Sequence, residues 1–516
     1  MSDSGRWAKT PKLLSRQACR QSNAVHGLTM RKISTFSQAT FYLFSKTFLF
    51  SCCFLAALAS CDAVFAQFEI KDPSPEAKLN HVDFGSGTVT QSPGHSVEVR
   101  NEWGDRVIAK SYALIGERLV VLLPTGELSV VDPKDVRLTS TPFRPASRRE
   151  ILDELQQYDR FKRWKFAQSK NHLFLYHCSG NFVAKVAKIL ETIHMGVSEH
   201  LVRKGFQLKP DPFPLVVLIF PTQKEFQEFS GSPDGIGAYY NTITNHVVLF
   251  EKSNISDDAP IFAYDQVLST VAHEGVHQTL HNLGIQRRMS RWPMWLSEGL
   301  PEYFAPTTKG RDVIWKGVGQ VNDFRMSQLA GLVHSQVASA NNLIPEILTR
   351  PAIDSTGYAL SWGLVHYLAD AHPDAFWEYV KEISKRQPFE RGALELQAED
   401  IENDVELFGE NIDTSLTQLH MGMVEHLRSL RYRDPAQDET HYLLLLQYIE
   451  GKRQRRFAGI TLSRDSIAEW KAEHIADLTS EQLKSASFRI IEFETKALAE
   501  RYGARWMAGD NRRVLH

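Results

Sequence analysis

The chain has 516 residues, of which 43% are hydrophobic and 23% charged, with a formal net charge of −2. That length and balance describe a folded protein of several domains with a substantial core. The near-neutral charge excludes the basic surface of a nucleic-acid binder, and neither a zinc-finger nor a glycine-rich phosphate motif appears.

Residues 47–59 form an uncharged apolar run of 13. Such a run is too short to span a bilayer comfortably but suits the core of a signal peptide. Lys46, and further back Arg31 and Lys32, supply the positive flank, and Met30 is a more natural start than Met1. Two cleavage sites compete within a targeting segment of residues 1–66. Leu58-Ala59-Ser60-Cys61 has the form of a lipoprotein box, which would leave a lipid anchor on Cys61. Val64-Phe65-Ala66, before Gln67, suits ordinary signal peptidase, and plain export is the favoured reading. Four of the five cysteines lie in or before this segment, so the exported chain has no internal disulfide framework. The remaining one, Cys178, reads as a half-buried strand cysteine, because its neighbour His177 would point to the opposite face.

Residues 67–142 read as a small all-β domain, a barrel or meander. Short strands are expected near 85–90, 96–99, 106–109, 118–123 and 127–131, with a hairpin turn at Pro124-Thr125-Gly126-Glu127. No catalytic constellation falls there, so a binding or spacer role is expected. A linker at 141–147 leads into a second domain at 150–430. This opens with a strand at His172–His177, a helix near 181–204 and an almost wholly apolar internal strand at Pro214–Phe220. Strands at Gly237–Asn241 and His246–Phe250 follow.

From Ile261 the apolar spacing turns helical, and the helix carries His273-Glu274-Gly275-Val276-His277 before a stop at Asn282-Leu283-Gly284. Residues four apart share a helix face, so His273 and His277 can offer both imidazoles to one ion. Glu274 sits one step round, beside the ion and free to move a proton. His281 extends the row, but three imidazoles in a straight line cannot close a tetrahedron. Glu298, in Trp295-Leu296-Ser297-Glu298-Gly299-Leu300-Pro301-Glu302-Tyr303-Phe304, is the better third ligand. Twenty residues separate it from His277, enough to end one helix, cross a loop and return alongside. Ser297 is expected to cap the second helix and Pro301 to lie in its first turn.

Together these motifs resemble the gluzincin zinc peptidases, and residues from about Phe161 to Leu430 resemble an uncharacterised bacterial family of secreted peptidases of that type. The resemblance implies an α+β gluzincin-like catalytic domain, one Zn2+ ion held by His273, His277 and Glu298, Glu274 as general base, and Glu302 as a carboxylate orienting a ligand histidine. Pro301 departs from the usual alanine. Gly237-Ala238-Tyr239-Tyr240-Asn241 has Tyr240 where aminopeptidases of this clan carry a glutamate, so an endopeptidase is favoured. The implied setting is the bacterial periplasm, cell envelope or exterior, with a protein or peptide as substrate.

Tyr358, 60 residues after Glu298, is the candidate donor to the transition-state oxyanion, with His366 and Arg325 as rivals. Residues 358–369 read as an apolar helix under the cleft. Residues 431–516 are expected to form a helical extension, with helices at Asp438–Ile449 and Ser480–Tyr502. The alternative function is a catalytically inactive metallopeptidase-like module that binds envelope polymer or a partner protein.

Overall fold

The computed structural model describes residues 82–509, apart from 210–211, 234, 257–258, 309–312, 336–341, 391–397, 438 and 477. Residues 1–66, where a targeting segment is expected, lie outside the described residues, Cys61 included. The chain is a mixed α+β protein, and all described elements belong to one unit, Phe50–His516.

Six strands come first: β1 (Val89–Gln91), β2 (Ser96–Arg100), β3 (Arg106–Ile115), β4 (Arg118–Leu122), β5 (Leu128–Val131) and β6 (Arg137–Leu138). They form an antiparallel sheet in the order β5-β4-β3-β2-β6, with β1 also on β3. The turn expected at 124–127 closes with Leu123 N–H donating to Glu127 O at 2.8 Å, and Gly126 takes a φ of +92°. A bulge between Ser111 and Ala113 flips the face of β3. Ala109 therefore packs with Val97, Val99 and Val121, while Ala113 packs with Phe84, Val120 and Phe389.

A second sheet has the order β10-β11-β9-β8-β7: β7 (Lys165–Gln168), β8 (His172–Tyr176), β9 (Leu215–Thr222), β10 (Ala238–Asn241) and β11 (His246–Lys252). The three inner strands run parallel, and β7 and β10 are antiparallel edges. β9 buries six consecutive residues because the sheet is covered on both faces.

Against this sheet lies the histidine-bearing helix α4 (Pro260–Asn282), preceded by α1 (Arg148–Leu155), α2 (Gly180–Arg203) and α3 (Gln223–Ser230). Gln278, fully buried, ties α4 to the sheet by donating to Val216 O at 3.1 Å and Asn245 O at 2.8 Å. α2 crosses α4 closely: a Cβ on Gly275 would stand 2.2 Å from Leu190 Cδ2. Helices α5 (Met294–Phe304), α6 (Asp323–Val333), α7 (Ile344–Thr349), α8 (Ser355–Ala371), α9 (Pro373–Ile383), α10 (Ala398–Asn411) and α11 (Leu416–Ser429) build the helical side of the core.

Two expectations for α5 need correction. α5 starts at Met294, not at a Ser297 cap: its N-cap is Pro293 and makes no side-chain cap bond. The helix start is set by burial of Trp295 and Leu296, with Trp295 stacked on Tyr379 at 6.0 Å. Pro301 then falls inside the helix, close enough to its end that little of the hydrogen-bond ladder follows it.

The C-terminal stretch is not a helical extension. β12 (His441–Glu450), β13 (Arg453–Thr461) and β14 (Ser487–Phe493) form a sheet ordered β13-β12-β14, with α12 (Asp465–Ile475), α13 (Ser480–Ser485) and α14 (Lys496–Met507). Tyr442, Leu444 and Leu446 pack with Trp470, and Leu443 and Leu445 with Trp506. A strand buried on both faces reads as a continuous apolar run, which carries no helical or alternating period. Among the described residues no helix is long and apolar enough to cross a membrane.

Candidate metal centre

α4 and α5 bring three side chains to one point. His273 Nε2 and His277 Nε2 are 3.1 Å apart, and each is 3.2 Å from Glu298 Oε2. Tetrahedral zinc with bonds of ~2.0–2.1 Å spaces its ligand atoms by about 3.3 Å, so the spacing and the donor set both fit such an ion. Among the described residues these three form the cluster of this kind. His281, the rejected fourth candidate, turns aside and stacks on Tyr240 at 5.2 Å.

Close packing holds the triangle. A Cβ on Gly299 would stand 2.7 Å from Ser361 O, so α8 lies directly against the turn of α5 that carries Glu298. Glu302, one turn on, is 4% exposed, and its Oε1 lies 3.1 Å from His273 Nδ1, at ion-pair distance though off the N–H axis. Arg325 Nη2 donates to the same oxygen at 2.6 Å, and Asn322 Nδ2 donates to Oε2 at 2.7 Å. Neither partner of Glu302 was legible in that role, because they stand 20 and 23 positions further along the chain and no motif marks them.

Burial opposes charge throughout the cluster, yet its members charge one another. Desolvation works against protonated His273, but Glu302, Glu298 and Glu274 outweigh it and raise its pKa to about 10. Desolvation likewise opposes ionised Glu298, and His277 and His273 overcome it, holding that carboxyl well below the usual range. Glu302 is held at about 2 against its own burial, by Arg325 and His273. Glu274 goes the other way: burial raises it. A carboxyl raised in this way beside a metal site is a candidate general acid or base.

Glu274 Oε2 accepts the Tyr240 backbone N–H at 2.7 Å, which fixes it beside edge strand β10. A pocket of about 450 Å3 opens there, lined by Glu274, the three ligand candidates and Tyr358 among others. Tyr358 sits in the first turn of α8, its ring 5.8 Å from that of His273 and 5.0 Å from the Arg325 guanidinium. Burial and the neighbouring Glu298 and Glu274 raise its hydroxyl well above the usual value, so it keeps its proton. Its rivals are engaged elsewhere: Arg325 on Glu302, and His366 on His426 at 2.8 Å and Gly319 O at 3.1 Å. Cys178 lies just past β8, and burial and Glu251 push its thiol up to about 12, which makes it a poor nucleophile.

A family model described as a protein of unknown function, DUF1570, matches residues 267–390, a span that holds His273, Glu274, His277, Glu298, Glu302 and Tyr358. The chain is also similar to the uncharacterized protein YhcO of Bacillus subtilis (strain 168), at 24% identity over 208 residues. That alignment covers 39% of this chain and 58% of YhcO, so the chain spans somewhat over half the length of this curated relative.

Proposed function

We propose that this protein is an exported zinc-dependent peptidase, an endopeptidase rather than an aminopeptidase, with a gluzincin-like catalytic domain behind a small β domain. The observation that carries the reading is the convergence of His273, His277 and Glu298 within 3.2 Å of one another, with Glu274 beside them in an open pocket. His273, His277 and Glu298 would hold the ion, which when bound supplies a Lewis acid that acidifies water and polarises the scissile carbonyl.

This chain's own groups do the rest. Glu274, raised by burial, takes a proton from the attacking water and later delivers it to the leaving amine. Tyr358 keeps its proton and donates to the developing oxyanion. Strand β10 is an edge of its sheet and borders the pocket, and an extended peptide backbone can lie along it. Glu302, held by Arg325 and Asn322, orients His273.

The test is cleavage of a peptide library by the zinc-loaded protein, with and without chelator, alongside Glu274→Gln. Chelator-sensitive cleavage is expected, with turnover lowered at least ~100-fold in Glu274→Gln while zinc content stays near one per chain. Near-normal cleavage by Glu274→Gln overturns the assigned base. Zinc binding without cleavage of any peptide favours the inactive binding module.

A further inference from the structure

The segment that joins α4 to α5 carries three arginines, Arg287, Arg288 and Arg291. Arg291 lines the pocket and is half-buried. Gln286 lines it too, with Nε2 donated to Ser297 Oγ at 3.2 Å and Oε1 buried without a partner. Arg288 is only 9% exposed and donates only to the carbonyls of Thr242 and Ile243, at 3.3 and 3.4 Å. Arg287 donates to Gln387. Among the described residues no carboxylate stands within ion-pair distance of any of the three, whereas nearby Arg386 is paired with Asp404.

A buried guanidinium is ordinarily matched by an anion. Here one stands beside a substrate-sized pocket with neutral partners only. It reaches the pocket wall directly, since Thr242, whose carbonyl it holds, lines the pocket.

The segment is also held rigidly. Met289 and Phe389 both take positive φ, +63° and +56°, which bulky side chains rarely adopt and which persist only where the surroundings enforce them. Phe389 N–H donates to Met289 O at 2.8 Å. Tyr112 of the six-stranded sheet and Phe84, just before its first strand, clamp the pair, with Tyr112 O–H donating to Arg288 O at 2.8 Å and Phe84 packed on Phe389 at 5.0 Å. The β domain thus fixes the backbone that presents the arginines.

From this we infer that the pocket selects peptides carrying a carboxylate near the scissile bond, bound by Arg291 with Arg288 behind it. The inference rests on the peptidase reading and names its substrate class. The carboxylate has two sources, an Asp or Glu side chain or a free C-terminus. Peptides matched as acid and amide at each position, and as C-terminal acid and amide, tell them apart.

The expected result is a kcat/KM at least about tenfold higher for the acid of the matched pair, carried mainly by KM, as for a charge-assisted hydrogen bond. In Arg291→Gln the acid-to-amide ratio falls to about one, and Arg291→Lys restores part of it. The same peptides are titrated onto zinc-loaded Glu274→Gln, where binding is read without turnover. Cleavage with a ratio near one, or a ratio that survives Arg291→Gln, overturns the anion subsite and leaves the peptidase standing. No cleavage, with acid-selective binding that Arg291→Gln abolishes, sinks the peptidase and keeps the subsite.

Discussion

Zinc and a proton compete for His273. In the metal-free protein its folded pKa of about 10 stands above its ordinary 6.5. A raised pKa contributes stability that is fully present below pH 6.5 and is lost as pH rises through 10. A metal needs the neutral ring, so each zinc bound below that upper value expels one proton from His273. Glu298, already held well below the usual carboxylate range, releases none near neutral pH. Apparent zinc affinity should therefore tighten about tenfold per pH unit, or roughly a hundredfold (~2.7 kcal/mol) between about pH 6.5 and about pH 8.5. With an unfolding entropy on the order of 0.9 kcal/mol/K for a folded body of this size, the gap in Tm between zinc-loaded and chelated protein should widen by about 3 °C over that range. Competition with a chromophoric chelator gives the constant, and calorimetry in buffers of different ionisation enthalpy counts the proton. A zinc constant that does not move with pH would refute the claim that carboxylates hold His273 protonated.

Three further outcomes are expected. Glu302→Gln removes the carboxylate beside His273 Nδ1 and should weaken zinc binding ~10–100-fold, while also lowering the number of protons released; unchanged affinity would deny Glu302 its orienting role. Tyr358→Phe should lower kcat by on the order of 100-fold with KM nearly constant, measured by steady-state kinetics on the best library peptide. Gly299→Ala places a Cβ 2.7 Å from both Ser361 O and Val365 Cγ2. It should cost about 1–3 kcal/mol in denaturant unfolding and loosen zinc, since Glu298 is its neighbour; wild-type stability would contradict the close approach of α5 and α8.

What the sequence made legible was local. His273 and His277 share a face because a helix repeats every 3.6 residues, and the buried spacing of Val267, Val271 and Ala272 announces that helix. Glu298 followed from the length of the return path and from the resemblance of the motif around it. The start of α5 was misplaced because tertiary burial of Trp295 outweighed the capping preference of Ser297. Leu443–Leu446 was misread because a strand covered on both sides has no period to betray it. Arg325 was legible only as a cation of the right neighbourhood; its bond to Glu302 depends on how α6 packs, which no short-range pattern encodes. The arginines of the joining segment were not singled out at all, since three such residues in a loop ordinarily face water.

The balance of charge in the core bears on what the cluster is for. Glu274, Glu298 and Glu302 place three carboxylates around His273, and among the described residues Arg325, on Glu302, is the one permanent cation bonded to any of them. With neutral imidazoles, two negative charges remain uncompensated in a region where burial opposes every one of them. A chain that only needed a stable core would replace such a set with apolar residues at no loss of stability, and often with a gain. A dication seated among His273, His277 and Glu298 cancels the two charges and leaves the imidazoles neutral as ligands. Without it, a proton on His273 offsets part of that charge, and the pKa values of His273 and Glu274 are both raised, the direction that favours proton uptake. The arrangement is therefore one whose electrostatics close with a divalent ion present, and the pH dependence of zinc binding measures that closure directly.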